Sequence, residues 1–216
     1  MPFLQKLRGR AADEARMRAT WWSSLSIALL LASSCTGFRE VVPGVYRSPQ
    51  PGEDQLARRI ARYDIQCVVC LRGGASADAS ERAALGQNVT FHNVPLSAMR
   101  RPRPEALLEL WRIAREAPRP LLLHCRAGAD RTGLAAALLV LHDTGDLDAA
   151  RGELAMLPHG HLGAFGTEAM DEVLDGYEPH AASLTFPQWV ETVYAPEFEA
   201  ARGQAVELHD DPQRPR

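Results

Sequence analysis

The segment HCRAGADRTG, from His124 to Gly133, combines residue types that can bind a phosphate group and attack it. It follows the apolar run of residues 121–123 and precedes another apolar stretch, so we expect a strand, a loop and a helix. The inward-pointing N–H groups of such a loop and the positive end of the helix together make an anion site. Arg131 can bind two phosphate oxygens at once. Cys125 lies at the base of the loop, where a positive field favours a thiolate nucleophile.

Short apolar runs and helical patterns alternate along the rest of the chain, as in proteins with a parallel sheet. Strands are predicted at residues 41–47 (a strand or hairpin that turns at Pro43 and Gly44), 65–71, 89–96 and 121–124. Helices are predicted at residues 53–63, 79–85, 102–116, 132–143, 147–157, 167–177 and 186–194. Core positions are predicted for Trp111, Phe186 and Trp189. The pattern predicts a single α/β domain with a central, mostly parallel sheet of four to five strands flanked by helices.

A cysteine followed by five residues and then Arg-Thr-Gly resembles the signature loop of the cysteine-based protein tyrosine and dual-specificity phosphatases. The resemblance is to their bacterial tyrosine-phosphatase-like branch, because residues 45–51 (VYRSPQP) are similar to its YRS-x-QP segment. Residues 70–72 (CLR) stand where that branch often has NLR, and residues 159–161 and 169–171 also look similar to it. The resemblance covers about residues 41–195 and implies the tyrosine/dual-specificity phosphatase fold.

The resemblance also implies a mechanism that needs neither a metal nor another cofactor. Cys125 would attack phosphorus to form a cysteinyl-phosphate, which water would hydrolyse. Arg131 and the backbone N–H groups of residues 126–131 would hold the phosphate oxygens. Thr132 would hydrogen-bond the sulfur as it departs, and His124 would set the geometry of thiolate and loop. The implied substrate-binding residues are Arg126, Ala127, Gly128, Ala129 and Arg72, the last as a brace for the loop.

The general acid is missing from its usual place, because residues 91–103 contain neither Asp nor Glu. Three substitutes are Asp130, Glu105 and His92. We favour Asp130, which directly precedes Arg131; myotubularin-like phosphatases and some bacterial lipid phosphatases have Asp at this position. The alternative is that Asp130 only braces the loop by pairing with Arg126 or with a backbone amide.

The other cysteines and histidines of interest have simpler interpretations. Cys67 and Cys70 face opposite sides of a predicted strand, so we expect two buried core residues and no metal or redox pair. Because some relatives oxidise their catalytic cysteine, a Cys70–Cys125 disulfide in an oxidising compartment is a further hypothesis. The residues His159 and His161 have metal-ligand spacing but no third ligand nearby, which favours a structural role in their loop.

The amino-terminal residues 1–37 are predicted to be an export signal or a membrane anchor. A basic flank precedes the apolar residues 25–32, and the small residues before Cys35 resemble a bacterial lipoprotein signal in which this cysteine is lipidated. Translation from Met17 would give a compact signal of this kind. We therefore expect membrane association through the amino terminus and a bacterial cell-envelope location, as a periplasmic lipoprotein or an anchored protein, with a cytoplasmic protein as the alternative.

The predicted phosphatase domain spans residues 38–200, and residues 201–216 are predicted to be a disordered tail. A formal charge of −3 gives no basic face for nucleic acid. The predicted function is phosphomonoester hydrolysis. The predicted substrate is a phosphorylated protein, as it is for tyrosine and dual-specificity phosphatases. An anionic phospholipid, phosphoinositide-like or phosphatidylglycerophosphate-like, is the alternative, suggested by Asp130 and the arginines Arg100, Arg101 and Arg103. More remote alternatives are a phosphate-binding pseudoenzyme, a sulfurtransferase or an arsenate reductase, and the oligomeric state stays open.

Overall fold

The computed structural model describes residues 37–75, 77, 79–80, 84, 89–155, 160–161 and 168–209, with side chains as far as residue 203. The domain that carries the sheet begins at Phe38. None of the helices in this part of the chain combines the length and apolar composition that crossing a bilayer requires. The predicted export segment, with Met17 and Cys35, lies outside the described residues and stays a prediction.

Five strands form one sheet in the order β1-β2-β5-β3-β4, which confirms the predicted mostly parallel sheet. The strands are β1 (Arg39–Val42), β2 (Val45–Ser48), β3 (Cys67–Cys70), β4 (Thr90–Asn93) and β5 (Leu121–His124). The first pair is an antiparallel hairpin whose turn contains Gly44 at φ +74°, and the other pairs are parallel. The carboxyl ends of β2, β3, β4 and β5 therefore meet at one edge of the sheet.

Helices pack on both faces of this sheet. They are α1 (Glu53–Tyr63), α2 (Pro104–Glu116), α3 (Asp130–Thr144), α4 (Leu147–Gly152), α5 (Asp171–Tyr177), α6 (Phe186–Trp189) and α7 (Ala195–His209). A 3₁₀ turn (Glu178–His180) follows α5, and a π-helical turn (Val190–Tyr194) joins α6 to α7. Residues 79–80 and 84 of the predicted helix at 79–85 are helical.

The core has two parts because the side chains of β3 and β5 alternate between the two faces of the sheet. Leu122 and Val68 pack toward α1, whereas Leu121 and Leu123 pack into the larger cluster with α2 and α3. Both strands are fully buried, as expected for central parallel strands, and α3 is apolar on nearly every side because it crosses this cluster. Phe186 and Trp189 are buried there, which confirms these two predicted core positions, and Trp111 is partly buried and stacks on Phe186 at the edge of the cluster.

Several predicted element boundaries, among them those of two helices, and the predicted tail need correction. Helix α4 ends at Gly152 instead of residue 157, because the backbone turns at Glu153, which bonds to Arg47 of β2. Helix α5 begins at Asp171 instead of residue 167. Helix α7 continues through residues 201–209, so the tail does not begin at residue 201; Ala, Arg, Gln and Leu in this segment favour helix.

Candidate active site

The loop between β5 and α3 holds the Cys125 sulfur at its base. Cys125 is buried, and its sulfur accepts a hydrogen bond from the backbone N–H of Gly128 at 3.3 Å. Gly128 has φ +75°, and a Cβ atom built on it would lie 2.6 Å from the backbone nitrogen of Pro49. Only glycine fits this conformation and this close approach to the end of β2. The glycine predicted from the sequence as part of the loop therefore allows the chain to curl around the sulfur.

Arg47 of β2 supports the loop from behind, a role that the sequence analysis did not assign to it. Its Nη2 atom donates to the carbonyl oxygens of Gly128 at 2.7 Å and Ala129 at 3.2 Å. Its Nη1 atom donates to the carbonyl and the carboxylate of Glu153. Only 2% of the Arg47 side chain is exposed. Arg47 therefore fixes the orientation of two peptide units of the loop.

The positive charge of Arg47 is balanced by a buried carboxylate. Burial lowers the pKa of Arg47, while the hydrogen bond and charge of Glu153 oppose that shift. Burial alone would raise the pKa of Glu153, but hydrogen bonds from Arg39 and Arg47 outweigh it and hold that pKa below its ordinary value. Both charges are therefore present at neutral pH, and the loop rests on an internal ion pair.

Arg72 does not contact the loop as directly as the family resemblance implies. Its Nη1 atom lies 3.5 Å from Oε1 of Gln50, and the backbone N–H of Gln50 donates to the carbonyl of Arg126 at 3.1 Å. Arg72 thus reaches the loop through Gln50, because the position behind the loop is occupied by Arg47. Arg47 is the one charged residue of β2 and lies within the YRS-x-QP segment, and this is the signal that could have identified it.

Three other predicted residues lie at the same edge of the sheet. Thr132 is fully buried in the first turn of α3, and within the described residues its hydroxyl has no hydrogen-bond partner; the sulfur accepts from Gly128 instead. Arg131 is the second residue of the same helix, and its Nε atom is likewise without a hydrogen-bond partner within the described residues. Burial, with the nearby charge of Arg59, lowers the pKa of His124 to about 4. His124 is therefore neutral at pH 7, which agrees with a role in geometry and not in proton donation.

Asp130 is the first residue of α3 and is bonded to a histidine from another segment. Its Oδ1 atom lies 2.8 Å from Nδ1 of His161, and Nε2 of His161 lies 2.8 Å from Oδ2 of Asp171. The predicted bracing partners of Asp130, Arg126 or a backbone amide, are thus replaced by His161, because the segment after α4 brings this ring to the loop. Both ring nitrogens are used, so His161 has none for a metal. His159 lies outside the described residues.

The two other candidates for the general acid lie in different surroundings. Glu105 is exposed in the first turn of α2. His92 is half-buried on β4, and its Nδ1 atom lies 3.9 Å from Oε1 of Glu109 on α2. Burial and the charge of Arg112 lower the pKa of His92, which works against a protonated imidazole. Of the three, Asp130 is the one that the structure places within the loop.

The arginines of the segment before α2 do not form one uniform patch. Arg101 stacks on the ring of Tyr194, with its guanidinium carbon 4.7 Å from the ring centroid, and its Nε atom lies 3.8 Å from Oε2 of Glu172. The Tyr194 hydroxyl donates to the carbonyl of Pro102 at 2.7 Å. Arg101 is therefore engaged in holding this segment to the carboxyl-terminal helices. Arg100 and Arg103 are exposed.

The cysteines of β3 occupy the two faces that the sequence predicts. Cys67 packs into the larger core cluster, and burial raises its pKa to about 12. Burial also raises the pKa of Cys70, whose Sγ atom donates to the carbonyl of Arg72 at 3.6 Å. Cys70 of β3 lies opposite His124 of β5 in the parallel pairing, and Cys125 is the residue that directly follows His124. All three are free thiols, and the Cys70–Cys125 disulfide stays a prediction.

A thiol at the base of a glycine-containing loop, an arginine at the start of the following helix and a mostly parallel sheet define a cysteine-dependent phosphatase. In this loop and in its fold the chain is similar to the cysteine-based tyrosine and dual-specificity phosphatases. The family model described as "Tyrosine phosphatase family" matches residues 103–143, which include the whole loop. Comparison with curated proteins finds no match.

Solved structures of phosphatases share this fold. The chain is similar to TpbA of P. aeruginosa, with 25% identity and a TM-score of 0.53 over 69% of this chain and 92% of TpbA. It is similar to a mutant form of Tk-PTP, with 23% identity and a TM-score of 0.55 over 66% of this chain and 97% of that one. The catalytic domain of the PP-IP phosphatase SIW14 from S. cerevisiae is 18% identical, with a TM-score of 0.52 over 62% and 83% of the two chains.

Proposed function

We propose that this protein dephosphorylates phosphotyrosine-containing proteins through a cysteinyl-phosphate intermediate on Cys125. The observation that carries the proposal is the arrangement around the sulfur. A loop N–H, that of Gly128, donates to it, and the buried Arg47 fixes the peptide units behind it. The tyrosine phosphatase family model that covers the loop supports the substrate class. Arginine side chains and peptide N–H groups are suited to stabilise a phosphoryl group in transfer.

In the first chemical step the Cys125 thiolate attacks phosphorus, and the bond from phosphorus to the leaving oxygen breaks. Asp130 gives its proton to that oxygen, so the product departs as a neutral phenol. In the second step water attacks phosphorus, its proton returns to Asp130, and the sulfur leaves as a thiolate. Arg131 and the loop N–H groups hold the three non-bridging oxygens throughout.

The position of Asp130 suits the role of general acid. It begins α3 directly before Arg131, and 24% of its side chain is exposed, so the carboxyl group is open to a substrate bound on the loop. A carboxyl group in this position serves as acid for the first step and as base for the second.

The intermediate can be trapped. Wild-type protein mixed with p-nitrophenyl phosphate and quenched in acid should carry one phosphoryl group on the peptide that contains Cys125. A burst of p-nitrophenol equal to the enzyme concentration should accompany it when hydrolysis is the slower step. Mass spectrometry of the digested protein locates the group. Phosphate release without any adduct at Cys125, or an adduct on another residue, would contradict the proposed mechanism.

Replacing Asp130 by asparagine should lower kcat/KM for phenyl phosphate by about 100-fold, because this ratio reports formation of the cysteinyl-phosphate, in which the leaving oxygen then departs without a proton. For p-nitrophenyl phosphate, whose leaving group needs little protonation, the loss should be only a few-fold. Steady-state kinetics on both substrates tests this, with Asp148→Asn, on the exposed face of α4, as the matched control. Equal losses on the two substrates would show that Asp130 is not the acid.

A phospholipid phosphatase is the second candidate, and one observation favours it. Met99, with 65% of its surface exposed, is the one large hydrophobic residue that is exposed within the described residues, and it adjoins the exposed Arg100. An apolar side chain beside cations is typical of surfaces that contact anionic lipid. Comparing kcat/KM on a phosphotyrosine peptide and on vesicles that contain phosphatidylinositol phosphate separates the two candidates. Met99→Ser should reduce activity on vesicles only if the lipid is the substrate.

A further inference from the structure

His161 lies buried between two carboxylates, with 2% of its side chain exposed. Its two contacts, to Asp130 and to Asp171, are both 2.8 Å long. The ionised Asp171 can only accept a hydrogen bond, and so can Oδ1 of Asp130 when the proton of that carboxyl group is on Oδ2, so the histidine between them donates from both nitrogens. Burial alone would lower the pKa of His161, but the hydrogen bonds to Asp171 and Asp130 outweigh it and raise that pKa. The ring therefore presents a fixed N–H donor to Asp130.

Because His161 donates to one oxygen of Asp130, the two carboxyl oxygens have different roles. The contact with His161 occupies Oδ1, so Oδ2 is the oxygen that is left to carry the transferable proton. When Oδ2 releases that proton to the leaving oxygen, a negative charge appears on the carboxyl group. The N–H of His161 already points at this group and stabilises the charge as it forms. When the attacking water later returns a proton to Oδ2, the same contact keeps the carboxyl plane in place.

Asp171 gives the histidine its orientation, because it holds the opposite ring nitrogen. It is the first residue of α5. The next residue, Glu172, contacts Arg101, which in turn stacks on Tyr194. The carboxylate behind the imidazole thus belongs to a helix that is tied to the carboxyl-terminal helices. A ring held at both nitrogens by separate elements keeps one orientation, as a positioned acid requires.

We propose that His161 is a positioning residue for the phosphatase reaction: it orients Asp130 through Nδ1 and is itself oriented by Asp171 through Nε2. The proposal rests on the proposed role of Asp130 as general acid. The proposal gives a function to His161, which follows α4 in the chain and lies outside the loop sequence of residues 124–133.

Two amide substitutions separate the contacts of His161. In His161→Asn the side-chain amide lies near the position of Nδ1 and can still donate to Asp130. In His161→Gln it lies near the position of Nε2, so the contact to Asp171 is kept and that to Asp130 is lost. We expect His161→Gln to lower kcat/KM for phenyl phosphate by about tenfold, and His161→Asn to recover most of this loss. On p-nitrophenyl phosphate both variants should stay within about twofold of wild type, because that leaving group needs little acid catalysis.

A double substitution connects the histidine to the acid. In the Asp130→Asn background, His161→Gln should cause no additional loss on phenyl phosphate, because its effect acts through Asp130. The control is His142→Gln, which removes another histidine–aspartate contact of 2.9 Å, that to Asp143 at the other end of α3. It should leave the kinetics on both substrates unchanged.

The outcomes distinguish failure of this proposal from failure of the proposed function. If Asp130→Asn impairs phenyl phosphate selectively and His161→Gln does not, the positioning role is wrong and the acid assignment stands. If Asp130→Asn shows no selective effect, the acid assignment fails and the positioning role fails with it. Loss on both substrates in His161→Gln would indicate a merely structural residue. If His161→Gln does not fold, as judged by circular dichroism, Asp171→Ala takes its place, because alanine removes the acceptor of the Nε2 contact. Asp171→Ala should show the same selective loss on phenyl phosphate, and the absence of that loss would overturn the proposal.

Discussion

Replacing Cys125 by serine should lower the turnover of p-nitrophenyl phosphate by about 10⁴-fold or more, the scale seen when a catalytic nucleophile is removed. A serine hydroxyl ionises far less readily than a thiol and attacks phosphorus poorly without a neighbouring base. Its oxygen can still accept the hydrogen bond from Gly128, so the loop should keep its shape. Affinity for inorganic phosphate, measured by calorimetry, should therefore stay within a few-fold of wild type.

The matched control for Cys125→Ser is Cys67→Ala, at a buried thiol in the larger core cluster. It should cost some stability, about 1 kcal/mol for a small cavity, and leave kcat unchanged in the folded protein. Substantial turnover by Cys125→Ser would show that the nucleophile lies elsewhere. If Cys125→Ser loses both its affinity for phosphate and its turnover, serine disrupts the loop. In that case Cys125→Ala, with the same phosphate titration, tests the nucleophile assignment independently of the hydroxyl.

The second large effect is expected for Arg47→Met, which should lower the free energy of unfolding by about 3–5 kcal/mol. Within the described residues the substitution leaves the buried carboxylate of Glu153 with Arg39 as its one remaining cation. It also removes the side-chain donor of the Gly128 and Ala129 carbonyls, of which Ala129 keeps the backbone N–H of Gly133. Urea unfolding followed by circular dichroism measures the loss. The variant should also lose activity where it is folded, because two peptide units of the loop are no longer fixed.

Arg39→Met is the matched control, because Arg39 bonds to the same carboxylate from a position where 35% of its side chain is exposed. Its loss should be about 1 kcal/mol or less, as for exposed ion pairs. In the double variant Arg47→Met/Glu153→Leu the buried charge is gone, so part of the stability should return. The Gly128 carbonyl still lacks the Arg47 donor, so activity should stay low. A loss for Arg47→Met no larger than that for Arg39→Met would contradict the role of Arg47.

The part of the site that could be predicted from the sequence is the part that is local in the chain. Cys125, Gly128 and Arg131 lie within one loop, and their spacing is set by a strand that ends at residue 124 and a helix that begins at Asp130. Backbone geometry over so short a segment follows from residue type, above all from the positive φ that glycine permits at residue 128. Buried strands and amphipathic helices likewise show in the hydrophobic pattern, which is why the sheet was predictable.

The groups that hold this loop in place come from distant segments. Arg47 is 81 residues from Gly128 in the chain and reaches it because β2 pairs with β5 in the sheet, with Arg47 opposite Leu123. His161 is 31 residues from Asp130 and lies beyond α4. Neither contact has a signal in residue spacing, since each depends on how strands and helices pack. For the same reason Arg72, which resemblance assigned as the brace, reaches the loop only through Gln50.

The sequence by itself determined the cysteine at the base of the loop, the strand-loop-helix unit that holds it and the α/β class, because these depend on residue types within one short segment and on the periodicity of apolar residues. Only the tertiary structure decided which buried cation supports the loop and which histidine faces Asp130. A buried charge is stable only where the fold places a partner within hydrogen-bonding distance, and that placement is a property of packing between elements and not of any one segment.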